Sequence, residues 1–122
     1  MEEKRKYIRI EAPIVVTYKL GDKAPVTKKT ITKDFSEGGI RFPVYEKLKT
    51  GTPLQLLIET PFDTIPISAT GQIVWTKALS VTEGREIYDV GVKFTQMQSF
   101  DKRRMTQTTK HFLSMGKKYR SG

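Results

Sequence analysis

Two short stretches carry residue types suited to binding. Arg5-Lys-Tyr-Ile-Arg9 sets two guanidiniums four residues apart. Along an extended arm they fall on one side, because side chains repeat every two residues. In a helical turn they also meet. Planar forks that converge in this way grip a phosphate through paired hydrogen bonds and stack on a flat base. A solvated basic arm has the same composition, so the pair alone decides nothing.

The second stretch, Asp34-Phe-Ser36-Glu-Gly-Gly39, is the sharper one, since D-x-S-x-x-G is much the rarer string by composition. Asp34 accepts hydrogen bonds, for example from the N1 and exocyclic amine donors of a guanine. Ser36 donates to a phosphate or to its own loop. Gly38 and Gly39 permit backbone angles that other residues avoid and let a ligand approach the chain closely. A Ser-stabilised turn with no ligand uses the same residues.

The pattern along the chain predicts the elements that hold these stretches. After Pro13, the run Ile14 to Leu20 is rich in β-branched residues, and Gly21-Asp22 signals a turn. Val26 to Phe35 alternates weakly. Gly38-Gly39 breaks it, and Ile40-Arg41-Phe42 resumes. Leu54 to Ile58 reads as a strand. Ile65 to Lys77 reads as a long one, with Ile65, Ile67, Ala69, Ile73 and Trp75 at odd positions. Gly71 within it suggests a bulge. Leu79 to Glu86 reads as a polar loop, and Val90, Val92 and Phe94 alternate again. Short strands with turn signals between them indicate a sandwich or barrel.

The end of the chain differs. Ser99 is a candidate N-cap, with Asp101 in the first turn. Met105, Thr109, Phe112 and Leu113 recur at helical spacing, and Gly116 is a natural stop. The expectation is a β-barrel-like domain closed by one C-terminal helix. Its parts are a flexible basic arm over 1–12, a barrel over 13–97, a helix over 98–116 and a basic tail over 117–122.

Composition narrows the function. The 122 residues fit one domain able to bury its own core. There is no cysteine, which removes disulfides, thiolate metal sites and cysteine nucleophiles and suits a reducing cytoplasm. No apolar run reaches membrane-span length, and no secretory signal is visible. Lys and Arg total 22 against 13 acidic residues, a net charge of +9, which favours anionic partners. The single histidine, His111, falls on the predicted helix, where surface or packing roles dominate. No catalytic set or metal cluster stands out, so an enzyme and a metal cofactor are not expected. Lys102, Arg103, Arg104, Lys110, Lys117, Lys118 and Arg120 read as a solvated basic face rather than a phosphate patch.

An Arg-x-x-x-Arg arm followed, after a first strand, by D-x-S-x-x-G resembles the PilZ domain family. Gly71-Gln-Ile-Val-Trp75 and Gly91-Val-Lys-Phe94 look like two later strands of that family, so the likeness runs from about Arg5 to Phe94. The resemblance implies a six-stranded antiparallel β-barrel with a C-terminal α-helix. It also implies a ligand, cyclic di-GMP, wrapped by the arm against the barrel. Carried over position by position, Arg5 and Arg9 would hold phosphates and guanines, and Asp34 would read a guanine edge. Ser36, Gly38 and Gly39 would shape the loop against the ligand, and Trp75 would wall a base. Many relatives carry a further Arg where this chain has Lys4. Lysine keeps the charge without the planar fork, which leaves open whether one or two ligand molecules bind.

The expected protein is thus a stand-alone, cytoplasmic cyclic di-GMP receptor whose arm orders on binding and signals to a downstream protein. A basic barrel that binds nucleic acid is the second reading. It needs aromatics interleaved with Lys and Arg on an exposed strand, and Tyr18, Phe35, Phe42 and Tyr88 look more like core or loop. A PilZ-like adaptor that binds no nucleotide is the third, and the retained motif residues argue against it.

Overall fold

The computed structural model describes residues 9–20, 27–82, 84–115 and 119–120. Lys4, Arg5, the Gly21-Asp22 turn, Val26 and Gly116 lie outside them. The strands are β1 (Arg9–Ile10), β2 (Val15–Leu20), β3 (Lys28–Ile31), β4 (Asp34–Phe35) and β5 (Gly39–Val44). There follow β6 (Pro53–Glu59), β7 (Ile67–Thr82), β8 (Arg85–Gln96), helix α1 (Ser99–Ser114) and β9 (Tyr119–Arg120). They form one antiparallel sheet in the order β3-β2-β6-β7-β8-β5-β4-β1-β9. Among the described residues nine strands stand in place of the expected six, because β1, β4 and β9 are two-residue pieces at one edge. Six strands have four residues or more.

Alternation builds the core. In β6, Leu54, Leu56 and Ile58 point inward while Gln55, Leu57 and Glu59 face out. Val16 and Tyr18 of β2, and Ile40, Phe42 and Val44 of β5, do the same. The Tyr18 and Phe42 rings stack at 5.5 Å. The sheet curls until β3 meets β5, where the Thr30 hydroxyl donates to the Pro43 carbonyl at 2.7 Å. Just past β3, Thr32 ties the chain to the β1–β2 connection: its hydroxyl accepts from Ile14 N–H and donates to Ala12 O, each at 3.0 Å.

Helix α1 plugs the open end. Met105, Thr109 and Phe112 are buried as expected, and Leu113 packs partly against the core. Phe112 meets Phe35 of β4 edge-on at 5.5 Å and Phe62 of the β6–β7 connection at 5.2 Å. Burying one such ring contributes about 1.5–3 kcal/mol. The N-cap is Gln98 and not Ser99, and it makes no side-chain cap bond.

Arg104, expected on a solvated face, is buried. It donates to Asp63 at 2.9 Å, to Asp101 at 3.1 Å, and to the Ile65 and Pro66 carbonyls, tying the β6–β7 connection to the helix. Lys102, Arg103 and Lys110 are exposed, as read.

Two strand expectations change. β7 runs to Thr82 and pairs with β8 almost to their connection, so most of Leu79–Glu86 is a hairpin and not a loop. Register shifts fall at Thr70/Gly71, as Gly71 suggested, and also at Ile73/Trp75. The second shift leaves Val74 exposed and Trp75 half-buried, although Ile67, Ala69 and Ile73 point inward.

Candidate nucleotide-binding site

Sheet register assembles the site. Asp34 of β4 lies directly across from Arg41 of β5, Arg41 across from Gly91 of β8, and Gly91 across from Trp75 of β7. Residues paired this way share a face, so the four positions form one row over the barrel. At Gly91 there is no side chain, and the Trp75 indole occupies the space. A Cβ there would overlap ring atoms Nε1, Cε2 and Cδ1.

Arg9 joins the row from β1, which pairs with β4 through Ile10 and Phe35. Its Nη1 donates to Asp34 Oδ1 at 2.8 Å. Arg41 Nε stands 3.0 Å from Asp34 Oδ2. The Asp34 side chain is 0% exposed, against 27% for Arg9 and 28% for Arg41. A carboxylate so buried needs compensating charge, and here each oxygen faces a guanidinium.

The loop from Ser36 to Gly39 is a closed turn. Ser36 N–H donates to Gly39 O at 2.8 Å, and the Ser36 hydroxyl oxygen accepts from Gly38 N–H at 3.1 Å. Neither Gly38 nor Gly39 has positive φ, so special backbone angles do not explain them. Gly39 is needed for close approach instead: a Cβ there would run into the Val92 carbonyl of β8. At the turn's apex, the Thr106 hydroxyl of α1 donates to Glu37 and fastens the loop to the helix.

These pieces surround a cavity of about 650 Å³. Arg9, Ser36, Gly38, Gly39 and Trp75 line it, five residues expected from sequence. Asp34 does not; it sits beside the wall in its ion pairs rather than open to a ligand. Lys4 and Arg5 lie outside the described residues. The far side carries Lys93 of β8 and Lys102 of α1, which add positive charge. Arg41, Lys93 and Lys102 were missed by sequence reasoning. Arg41 stands where hairpin register alone reveals its partner, and the two lysines are brought over by the fold.

Other candidates fall away from this face. His111 is exposed and stacks on Phe62 at 4.4 Å. Among the described residues no cluster of His, Cys, Asp and Glu has the geometry to hold a metal ion. No described helix is long and apolar enough to cross a membrane.

Fold and site together define an antiparallel β-barrel with a cationic surface cavity, walled by a Gly-rich turn, a tryptophan and the C-terminal helix. The chain belongs to the PilZ domain family, whose profile matches residues 3–110. No curated protein matches it in sequence.

Among solved structures it resembles the PilZ domain of YcgR from Escherichia coli with c-di-GMP, at 19% identity over 93% of each chain and a TM-score of 0.69. It also resembles the MrkH–c-di-GMP complex of K. pneumonia, at 12% identity, 94% of this chain, 55% of that one and a TM-score of 0.76. A third is the Bacillus subtilis inhibitor of motility MotI/DgrA, at 15% identity, 93% and 53% coverage and a TM-score of 0.71. The chain spans about half the length of MrkH and MotI.

Proposed function

We propose that the protein is a non-enzymatic cytoplasmic receptor for cyclic di-GMP. The carrying observation is convergence: Arg9, the Ser36–Gly39 turn and Trp75, far apart in sequence, line one cavity. Membership of the PilZ family supports this reading, as do neighbours solved with that ligand. Arg9 and Arg5 take the phosphates or stack on the bases. Ser36, Gly38 and Gly39 lie against the ligand, Trp75 walls a guanine, and Asp34 accepts from a guanine edge. Lys4 adds charge. Ile10 and Ala12 are already buried in the barrel, so it is the part of the arm before β1 that closes over the ligand, and the surface so changed is what a partner protein reads.

Charge-assisted hydrogen bonds contribute roughly 1.5–3 kcal/mol each, and base stacking about 1–3 kcal/mol. Less the cost of ordering the arm, several such terms reach about −8 kcal/mol, near micromolar. Isothermal titration with cyclic di-GMP tests the site. Arg5→Ala and Arg9→Ala are each expected to weaken binding about tenfold or more, a loss of about 1.4 kcal/mol. Wild-type affinity in both variants overturns the assignment. The titration stoichiometry also counts ligand molecules per site.

A further inference from the structure

Among the described residues, three cations line the cavity: Arg9, Lys93 and Lys102. Arg9 meets Asp34 at 2.8 Å and keeps further N–H donors. The ammonium groups of Lys93 and Lys102 have no ion-pair partner among the described residues. The one acidic residue of the lining, Glu37, accepts from the Thr106 hydroxyl instead. Strand pleating places Lys93. It lies two residues beyond Gly91, so its side chain leaves β8 on the face that carries the Trp75 indole. Gly39 lies across from it and has no side chain to cover it. Helix periodicity places Lys102. It stands one turn before Thr106, on the face of α1 that meets the Ser36–Gly39 turn. Between β8 and the β1 strand of Arg9 lie β5 and β4. Three strand spacings of about 4.8 Å make about 14 Å of sheet. A ligand lying across that gap presents one part to Arg9 and another to the lysines.

Building on the cyclic di-GMP reading, we infer that Lys93 and Lys102 form a second anion station, which takes the phosphodiester turned away from the arm. Cyclic di-GMP carries two phosphodiesters on opposite sides of its ring, each with one negative charge. Arg9 and the arm serve one of them. The other meets the two lysines. A lysine ammonium is a compact charge with three donors and no acceptor, on a flexible stem. It suits a phosphate oxygen and cannot read the donor edge of a guanine. The station therefore selects for the second phosphate. A ligand with both guanines and a single phosphodiester leaves it empty. Because Lys102 belongs to α1, the same contact ties the ligand to the helix that closes the barrel.

Titration with cyclic di-GMP and with GpG, for wild type and for Lys93→Gln/Lys102→Gln, tests this. GpG keeps both guanines and one phosphodiester and lacks the second; competition against cyclic di-GMP reads its weaker binding. Both lysines are exposed, so neutralising them leaves the barrel standing. The double variant is expected to bind cyclic di-GMP about tenfold or more weakly than wild type, as the loss of a charge-assisted hydrogen bond implies. Its affinity for GpG should change less than about threefold. Opening the ring costs both proteins alike and cancels in the comparison. Equal losses on the two ligands, or no loss on either, overturn the station. Lys93→Arg/Lys102→Arg keeps the charge and should bind cyclic di-GMP within about threefold of wild type. A loss there as large as in the glutamine variant points to packing and overturns the phosphate role. If wild type binds neither dinucleotide, the receptor reading falls and the station with it. If wild type binds cyclic di-GMP and the glutamine variant matches it, the station alone falls.

Discussion

Replacing Gly91 with alanine would dislodge the aromatic wall of the cavity while leaving the barrel standing. Gly91 lies between Trp75 and Arg41 in the row, and an added Cβ would overlap the indole. Its φ is not positive, so alanine meets no backbone strain there. In open space the change would stabilise by about 0.4–1 kcal/mol through the unfolded chain. Here the ring must move, and overpacking costs about 1–3 kcal/mol. Trp75 is half-buried and can swing outward, which favours the low end. The net loss is about 0.5 kcal/mol, a fall in Tm of roughly 2 °C. Binding suffers more. A base deprived of its stacking partner loses about 1–3 kcal/mol, or about 5- to 150-fold in affinity. Trp75 is the only tryptophan in the chain, so fluorescence reads it without labels. The variant's emission should shift to the red, and its response to cyclic di-GMP should shrink, with far-UV circular dichroism unchanged. An unaltered spectrum together with unaltered titration would refute the placement of the indole over Gly91.

Gly39→Ala should behave differently, because its Cβ would meet a backbone carbonyl rather than a ring free to move. The β5–β8 ladder must open there, at a cost near the upper end of overpacking, about 3 kcal/mol, read by urea unfolding; a loss below about 1 kcal/mol contradicts the close approach. Asp63 gives a pH signature. Its carboxyl is held below its ordinary value near 3.8, first by the Ile65 N–H and then by Arg104. A folded value below the unfolded one stabilises the native state above about pH 4, and this is lost as pH falls through the folded value. Wild type should therefore melt above Asp63→Asn near pH 6, and the gap should narrow as pH falls below about 4; a gap that widens on acidification contradicts the sign.

Where a periodic pattern met the core, the sequence was readable. Leu54, Leu56 and Ile58 alternate because one face of β6 is buried, and Met105, Thr109 and Phe112 recur because α1 has one face on the barrel. Where burial stops imposing a pattern, legibility ended. The outer β7–β8 hairpin exposes Ala78, Leu79, Thr82, Arg85 and Glu86, so backbone pairing holds it while its side chains read as loop. β1 and β4 are too short to alternate. The shift at Ile73/Trp75 breaks the phase of β7, so an odd-position count places Trp75 with the core when the strand has turned it toward the cavity.

The site was legible as motif residues but not as charges that must be balanced when no ligand is bound. Arg9 and Asp34 come from two separate motif stretches, each suited to a part of a nucleotide, one cationic and one anionic. Opposite charges meant for one ligand also fit each other, and in the structure they do, at 2.8 Å. A ligand entering the cavity therefore meets an Arg9 that already shares Asp34 with Arg41 and still has N–H donors to offer. Arg41 is seven residues from Asp34 in sequence, and only the register of a hairpin with a two-residue tip, Glu37-Gly38, sets it directly opposite. Had the turn been one residue longer, Arg41 would face the core and Phe42 the carboxylate, since a one-residue slip reverses every side chain of a strand. The length of the Ser36–Gly39 turn thus does two things: it shapes the loop against the cavity, and it fixes which residue shares the charge of Asp34.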